Sequence, residues 1–429
     1  MNAGGLQQGK PVLKRRLGLL DAVSIGLGAI IGAGIFVLIG IASGMAGPAV
    51  IISIIVSGVS ATFTALSFAT LGAAIPRAGG VYEYGHELIS HPMGFALGWM
   101  WIFGNIVMGA TASLGFGYYL SSVFGFIPFK VGALVIILLV VFFNIIGVKR
   151  AAIVNDLIVV AKVGVLILFI MLGLPKIQAS NFEDFFPKGV IPVFQAAGFF
   201  YFAYIGFPRI STVAEEVKDP EKNIPRAIML SLFLSTLIYL LTSITAIGLI
   251  GYEALSASQT PIGDAAGEIG LSKAVEAGAL SATFSVVLTS VMGQSRIFFA
   301  MARNNEVPDF LSRVHGKFGT PVYSILLSGV IMTMLASTID ISNLASLGSF
   351  CILFTHIFTN YAALRLYKST LKTSFKTPFG LFYSILGLMM STLLAFSLEV
   401  ITVVVGAIVF TTGLLWYFVY KKALLRKSS

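Results

Sequence analysis

Residues 28–36 read Gly28-Ala29-Ile30-Ile31-Gly32-Ala33-Gly34-Ile35-Phe36, and the interpretation of the whole chain turns on this stretch. It lies inside an apolar interval long enough to cross a bilayer, which takes about 20 residues. Glycine is a poor helix former, costing roughly 1 kcal/mol relative to alanine at each position. Two interpretations are open: close packing of neighbouring helices through small residues, or a helix broken in mid-membrane whose freed N–H groups hold an anionic group.

A second apolar interval carries a similar interruption, Phe202-Ala203-Tyr204-Ile205-Gly206-Phe207-Pro208. Proline lacks an N–H donor and clashes with the preceding turn, so a kink or break near Gly206 is expected. An ordinary proline kink, which membrane helices tolerate, is the alternative. The two intervals would correspond if spans 1–5 and 6–10 form two halves of inverted topology. Interruptions at matching places in such halves predict a solute site at the membrane midplane.

The composition is that of a membrane protein. Of 429 residues, 57% are hydrophobic and only 11% are charged, and the mean hydropathy is +0.94. A soluble chain carries about a quarter charged residues. One cysteine, Cys351, and four scattered histidines predict neither a disulfide nor a metal site, and we expect no cofactor.

Apolar intervals predict an all-α integral membrane protein with twelve transmembrane helices. None of the connecting loops is long enough to fold alone. The predicted spans are residues 18–44, 48–74, 92–122, 129–147, 151–174, 191–214, 226–251, 274–302, 320–338, 342–365, 378–396 and 400–420.

Lysine and arginine residues predict the orientation of these spans. With the N-terminus inside, the inner segments hold 23 of them and the outer loops only Lys130, Lys176, Lys188 and Lys273. Positive residues favour the cytoplasmic side, so both termini are predicted to be cytoplasmic. The net charge of +10 is therefore a topology signal and not a nucleic-acid surface. The predicted segments are a cytoplasmic N-tail (1–17), a first repeat (18–190), a second repeat (191–365), two further spans (366–420) and a cytoplasmic C-tail (421–429).

Five segments in order resemble the amino acid–polyamine–organocation (APC) transporter superfamily, and the resemblance covers nearly all of the chain. They are Gly28–Phe36, Pro76–Tyr84 (PRAGGVYEY), Phe202–Phe207 followed by Ala214-Glu215-Glu216-Val217-Lys218-Asp219-Pro220 and Asn223-Ile224-Pro225-Arg226, Ser295–Arg303 (SRIFFAMAR) with Pro308, and Leu347–Arg365. The resemblance implies the five-plus-five inverted-repeat, leucine-transporter-like fold with broken helices 1 and 6, followed by two C-terminal helices.

The resemblance also implies a substrate site. Backbone N–H groups of Gly32, Ala33 and Gly34 would bind a substrate carboxylate, and carbonyls near Ile31, Phe202 and Ile205, in the segment that contains Ala203, would take the ammonium group. The ring of Phe202 would cover the bound substrate. Ala33 stands where many family members have Ser or Thr, and Pro208 stands where many have an acidic residue, which weakens transfer of that residue's coupling role.

Lys162 is the charged residue placed deepest in a predicted span. It lies about 11 residues from Ala151, or roughly 16 Å into the membrane at 1.5 Å per residue. A lysine there either extends its ammonium group to the inner interface or is functional. Burial favours loss of its proton. Because a lysine in span five of proton-coupled family members occupies the sodium space of sodium-coupled ones, the resemblance implies proton coupling, with Ser281 and Ser285 of span eight as candidate partners.

Other polar residues have two interpretations each. Asn105 in span three lines the side-chain end of the pocket or bonds a neighbouring helix, and His356 in span ten is a packing histidine or a proton relay. Arg77, Glu83, Glu215 and Glu216 fall on the predicted cytoplasmic side, where the resemblance suggests an inner gate.

The resulting hypothesis is a secondary active transporter in the plasma membrane, whose partners are lipid, protons and an amino acid. A neutral amino acid is predicted because no Asp or Glu lies deep in spans 1, 3, 6, 8 or 10. The alternatives are an amino-acid exchanger, a carrier of cationic amino acids or polyamines, and, more remotely, a membrane receptor or enzyme. A membrane enzyme would need clustered catalytic groups, and the acidic residues do not supply them.

Overall fold

The computed structural model of the protein describes residues 17–75, 79–147, 151–212, 217–371 and 380–428. These residues form α-helices joined by short 3₁₀, π and irregular connections. The helices are α1 (Leu19–Ile30), α2 (Ile39–Ala46), α3 (Val50–Ala74), α4 (Val81–Leu88), α5 (His91–Phe124), α6 (Phe129–Ile146), α7 (Ala151–Gly173), α8 (Ile191–Phe200), α9 (Arg209–Thr212), α10 (Pro220–Ala257), α11 (Pro261–Gly267), α12 (Ser272–Arg303), α13 (Val322–Thr338), α14 (Ile341–Leu366), α15 (Phe382–Ser397) and α16 (Val400–Ser428).

Within the described residues, eight helical segments are long and apolar enough to cross a membrane, and four shorter apolar helices accompany them. Together they coincide with the predicted apolar intervals, which confirms an all-helical membrane architecture. The number of crossings and the inverted repeat stay predictions. Large apolar side chains stand exposed along these helices, among them Leu138 and Phe142 on α6 and Val160 and Met171 on α7. Such continuous exposure suits contact with lipid.

Several helix ends differ from the predicted spans by a few residues. The helix α10 begins at Pro220 rather than at residue 226, because proline fits the first turn of a helix, where no N–H acceptor is needed. The helix α16 continues to Ser428, through the segment predicted as a C-terminal tail. Two predicted loops also contain short helices, α4 and α11.

Gly47 makes the turn that separates α2 from α3. Its φ of 65° and ψ of −150° are accessible to glycine without strain. A Cβ there would also lie 2.4 Å from Cγ of Pro187. Because the chain turns at this point, the predominantly apolar stretch of 41 residues from Gly34 to Ala74 is divided between α2 and α3 and is not one continuous helix.

The helix α5 lies at the centre of the bundle and packs against α6, α12, α13, α14 and α16. Its 34 residues are longer than the hydrocarbon thickness requires. Small residues let the neighbours approach closely: a Cβ on Gly117 would lie 2.0 Å from the carbonyl oxygen of Phe129 in α6. This close packing fixes the frame against which the two interrupted helices lie.

Candidate functional site

The first interruption separates α1 from a π-helical turn, Gly34–Leu38. Ile31 ends α1 in an extended conformation, with φ −75° and ψ 108°. Gly32 follows, and a Cβ there would lie 2.4 Å from Cγ2 of Val286 in α12. The helix is therefore broken at the predicted position. A helix end inside the bilayer leaves carbonyl groups of its last turn without partners in the same helix.

The second interruption follows α8. The chain tightens into a 3₁₀ turn, Tyr201–Tyr204, and passes through a turn to Pro208 before α9 begins. The break thus begins some residues before Gly206. Weak turn hydrogen bonds hold this stretch, such as the one from the N–H of Ile205 to the carbonyl of Phe202 at 3.3 Å.

The two interruptions touch each other through their backbones. A Cβ on Gly206 would lie 2.0 Å from the carbonyl oxygen of Ala29, and a Cβ on Gly34 would lie 2.4 Å from Cβ of Ala203. Gly34, Ala203 and Gly206 are buried, and Ala29 is partly buried. In this conformation the facing segments are in direct contact, with no room for a side chain at either glycine.

Lys162 supplies a cation to the broken end of α1. The side chain is fully buried, and Nζ donates hydrogen bonds of 2.6 Å to the carbonyls of Gly28 and Ile31. A positive charge at a helix C-terminus is favourable because the helix dipole is negative there. Among the described residues, the hydrogen-bond acceptors of Nζ are these two carbonyls. The ammonium group therefore does not extend to the inner interface, which was the alternative interpretation of Lys162.

Tyr239 of α10 joins the two interruptions, and it was not among the predicted site residues. Its hydroxyl lies 2.8 Å from the carbonyl oxygen of Ile30 and 3.0 Å from that of Ala203. The side chain is fully buried. Tyr239 is the one tyrosine of the predicted span 226–251, and this was the available signal, because a buried phenol needs a partner.

The candidate partners of Lys162 in span eight lie on α12 but do not bond to its ammonium group. The hydroxyl of Ser281 donates to the carbonyl of Ala277, one turn earlier in the same helix. Ser285 is buried next to Val286, the residue that faces Gly32. A coupling role for either serine stays a prediction.

Asn105 lies on α5, and Phe202 belongs to the 3₁₀ turn of the second interruption. The amide of Asn105 donates to the carbonyl of Trp101 in its own helix at 2.8 Å, so it bonds no neighbouring helix through this donor. The ring of Phe202 is buried against Gly348 of α14. This position suits a ring that borders the site, and its gating role stays a prediction.

His356 packs in an aromatic cluster beside the second interruption. Its ring contacts Phe68, Trp101 and Phe207, and Nδ1 lies 2.8 Å from the hydroxyl of Tyr201. The histidine is fully buried. These contacts favour the packing interpretation of His356 and show that it also holds the 3₁₀ turn.

At the predicted cytoplasmic end, α4 is tied to the loop that follows α12. The phenol of Tyr82 donates to Glu306 at 2.7 Å and accepts a hydrogen bond from Asn304. Burial, together with the Glu306 carboxylate, raises the pKa of Tyr82 above its usual range. His86 lies 3.3 Å from the same carboxylate and 2.7 Å from His91, ring nitrogen to ring nitrogen.

Of the residues assigned to an inner gate, Glu83 lies on α4. Arg77, Glu215 and Glu216 lie outside the described residues, as do Lys149 and Arg150 and most of the N-tail. The inner gate stays a prediction.

Comparison with known proteins shows the family to which the chain is similar. The amino acid permease family model matches residues 21–425. The branched-chain amino acid permease BcaP of Bacillus subtilis (strain 168) is 31% identical over 439 residues, which cover 96% of this chain and 94% of that protein. The methylthioribose transporter of the same organism is also 31% identical, over 97% of this chain and 95% of its own length.

Cationic amino acid transporter 3, mitochondrial, of Arabidopsis thaliana is 30% identical over 79% of this chain and 60% of its own length. These similar proteins are transporters, which confirms the prediction that the chain is not an enzyme. They also confirm the superfamily expected from the motifs.

Proposed function

This chain belongs to the amino acid permease family, and we propose that it carries neutral amino acids across the plasma membrane by proton-coupled alternating access. Family membership makes it a multi-pass membrane transporter of a small molecule. The proposal adds the class of amino acid, the coupling ion and the residues that perform each step. Its main support is the pair of hydrogen bonds from Lys162 to the broken end of α1.

The substrate would bind where the two interruptions meet. Gly32, Ala33 and Gly34 begin a new helical segment, and N–H groups at such a start lack acceptors in their own helix. They would therefore bind the substrate carboxylate, which the positive end of the helix dipole also favours. The carbonyls of Ile31, Phe202 and Ile205 would hold the ammonium group. Both charges of a zwitterion need such dipoles in a low dielectric.

Binding requires the two interruptions to move apart. The close contacts of Gly32 with Val286 and of Gly34 with Ala203 leave no open space on the Cβ side of either glycine. Separating α1 from α12 and from the 3₁₀ turn would open it. Alternating access of this kind moves one group of helices against another around a fixed site.

Lys162 would couple this movement to protons. In the charged form, its ammonium group satisfies two carbonyls of α1 that have no other helical partner. The neutral amine has no charge to offset the helix dipole, so the bond between α7 and α1 weakens when the proton leaves. Protonation then biases the equilibrium toward the joined conformation, as any ligand that binds one state better does. Ser281 and Ser285 would stabilise the alternative conformation from α12.

The side chains around the interruptions favour a neutral substrate. Val286, Ala203 and the Phe202 ring are apolar, and the sequence places no Asp or Glu deep in the spans that contribute them. A cationic side chain would have no counter-charge in this region. The similarity to a branched-chain amino acid permease agrees with an apolar substrate.

Exchange, or transport of cationic amino acids, is the second candidate. Its support is the 30% identity to a cationic amino acid transporter. Carbonyl groups and aromatic rings can hold a cation without a carboxylate, so the geometry alone does not separate the two substrate classes.

Transport by the purified protein in liposomes tests the proposal. Uptake of leucine and alanine should exceed that of arginine and should be driven by an inward proton gradient without internal substrate. Arginine uptake in the absence of leucine and alanine uptake would overturn the neutral preference. Uptake that requires internal amino acid and ignores the gradient would show an exchanger.

We propose twelve spans with both termini cytoplasmic, the first ten in two inverted repeats at residues 18–190 and 191–365 and the last two in residues 366–420. Cys351 is the single cysteine and is buried. In a Cys351→Ala background, a cysteine at Ser258 should react with an impermeant reagent from outside, and one at Ser312 should react only after the membrane is opened. The reverse pattern would invert the proposed orientation.

A further inference from the structure

A groove opens toward lipid between α3, α10 and α15. Its volume is about 700 Å³. Leu230 and Phe382 at its edge are exposed, so the groove faces the membrane rather than the interior of the bundle. The residues that line it are Thr62, Phe63, Leu66, Pro225, Arg226, Met229, Leu230, Phe382, Tyr383 and Leu386.

The wall of this groove is apolar although two lining side chains carry hydroxyl groups. The hydroxyl of Thr62 donates to the carbonyl of Gly58 in its own helix. The phenol of Tyr383 is turned toward Thr70 and Tyr367, with which it shares hydrogen bonds of 3.4 and 3.2 Å. Both side chains therefore present carbon to the groove, which suits a hydrocarbon chain and not a polar solute.

Arg226 is the charged residue among those that line the groove, and it is exposed. It lies about 6 Å closer to the start of α10 than Leu230, at 1.5 Å per residue. That end of α10 is the one predicted to be cytoplasmic, where the leaflet carries anionic lipids. A guanidinium group at the mouth of an apolar groove matches a phosphate above an acyl chain, because its planar fork binds phosphate oxygens in pairs.

We propose that this groove binds one anionic phospholipid, with an acyl chain against Met229 and Leu386 and the phosphate on Arg226. The lining residues of each helix span about four to six positions, or at most about 8 Å along the helix axis. A helix from a partner protein, about 10 Å across, would need a longer seam. The inference depends on the membrane location of the chain and not on its substrate or coupling ion.

Native mass spectrometry of the delipidated protein tests the site with two probes of equal chain length, phosphatidylglycerol and phosphatidylcholine. The wild type should retain one phosphatidylglycerol more tightly than phosphatidylcholine. Arg226→Gln should lower phosphatidylglycerol affinity about fivefold, the effect of one interfacial cation, and remove the preference. Arg313→Gln, an exposed arginine in the loop after α12, should behave as wild type.

A second pair of variants tests the acyl chain. Met229→Trp fills the groove and should weaken both lipids, whereas Leu237→Trp places the same ring on an exposed position of α10 outside the groove and should weaken neither. Glycerol phosphate in solution separates a headgroup site from a lipid site and should bind without measurable affinity. The proposal is wrong if Arg226→Gln keeps the preference, if Met229→Trp binds both lipids normally, or if glycerol phosphate competes with the lipid.

Discussion

Gly206 lies against the carbonyl oxygen of Ala29 so closely that a Cβ at position 206 would be 2.0 Å from that oxygen. The contact joins the two interrupted helices backbone to backbone. It requires glycine at position 206 because the neighbouring atom is main chain and cannot rotate away. This contact defines how the two interruptions meet in the conformation described here.

We expect Gly206→Ala to separate the two interruptions and to destabilise the protein. The methyl group must displace either the turn before α9 or the end of α1, and overpacking of this kind costs about 1–3 kcal/mol. Thermal unfolding in detergent and uptake in liposomes should both decrease. Gly164→Ala is the matched control, because a Cβ on Gly164 meets nothing within 4 Å; its stability should hold or rise slightly. Equal behaviour of the two variants would contradict the close contact.

Replacement of Lys162 should remove the response to protons while leaving exchange intact. Lys162→Ala deletes the group that donates to the carbonyls of Gly28 and Ile31, so the proposed proton-binding group at the end of α1 is lost. Counterflow of leucine should persist, and uptake should no longer depend on pH or on an imposed proton gradient. Unchanged pH dependence in this variant would exclude Lys162 as the coupling residue. Lys176→Ala, an exposed lysine beyond the end of α7, serves as the control.

Tyr239→Phe should weaken the junction without changing its shape. The substitution deletes the hydroxyl that reaches the carbonyls of Ile30 and Ala203, and a buried carbonyl without a partner costs about 1–3 kcal/mol. We expect a lower unfolding temperature and a reduced transport rate. Tyr323→Phe removes a hydroxyl from a half-exposed ring on α13 and should change neither measurement. Wild-type values for Tyr239→Phe would mean that water replaces the hydroxyl fully.

Glu306→Gln should loosen α4 from the rest of the bundle. The carboxylate accepts a hydrogen bond from the buried phenol of Tyr82 and lies beside His86. Replacing it with an amide removes the negative charge from both contacts. A hydrogen bond to a charged group contributes about 1.5–3 kcal/mol. Hydrogen exchange of residues 81–88 should accelerate. Glu268→Gln, at an exposed glutamate, should leave exchange unchanged. Equal exchange in the two variants would show that apolar packing alone holds α4.

Apolar length predicted the helices, and glycine content and Pro208 predicted the two interruptions, because each of these signals is local. The break after Ile30 follows from glycines that weaken one helix. The second break was predicted near Gly206, but the chain leaves the α-helix at Phe200. The contacts of Tyr201 with His356 and of Tyr239 with Ala203 come from other helices, and no pattern within residues 200–208 reports them.

The surroundings of Lys162 were only partly predictable. Depth along α7 identified it as a charge inside the membrane, and helix polarity explains why it meets carbonyl groups. Which helix end it meets depends on the packing of α7 against α1, which a single sequence does not encode in any local spacing. Tyr82 of α4 and Glu306 lie more than 200 positions apart in the sequence. Local spacing therefore could not predict their hydrogen bond either.

The phenol of Tyr239 has a single proton, yet two carbonyl oxygens lie within its reach. At each instant the O–H group donates to one of them, and rotation of the O–H bond moves the hydrogen bond between the carbonyls of Ile30 and Ala203. Separation of the two interruptions therefore breaks no more than one hydrogen bond of Tyr239. The net loss is about 1 kcal/mol, which is less than twice the thermal energy. A contact with so small a free energy can break and form again many times during one transport cycle.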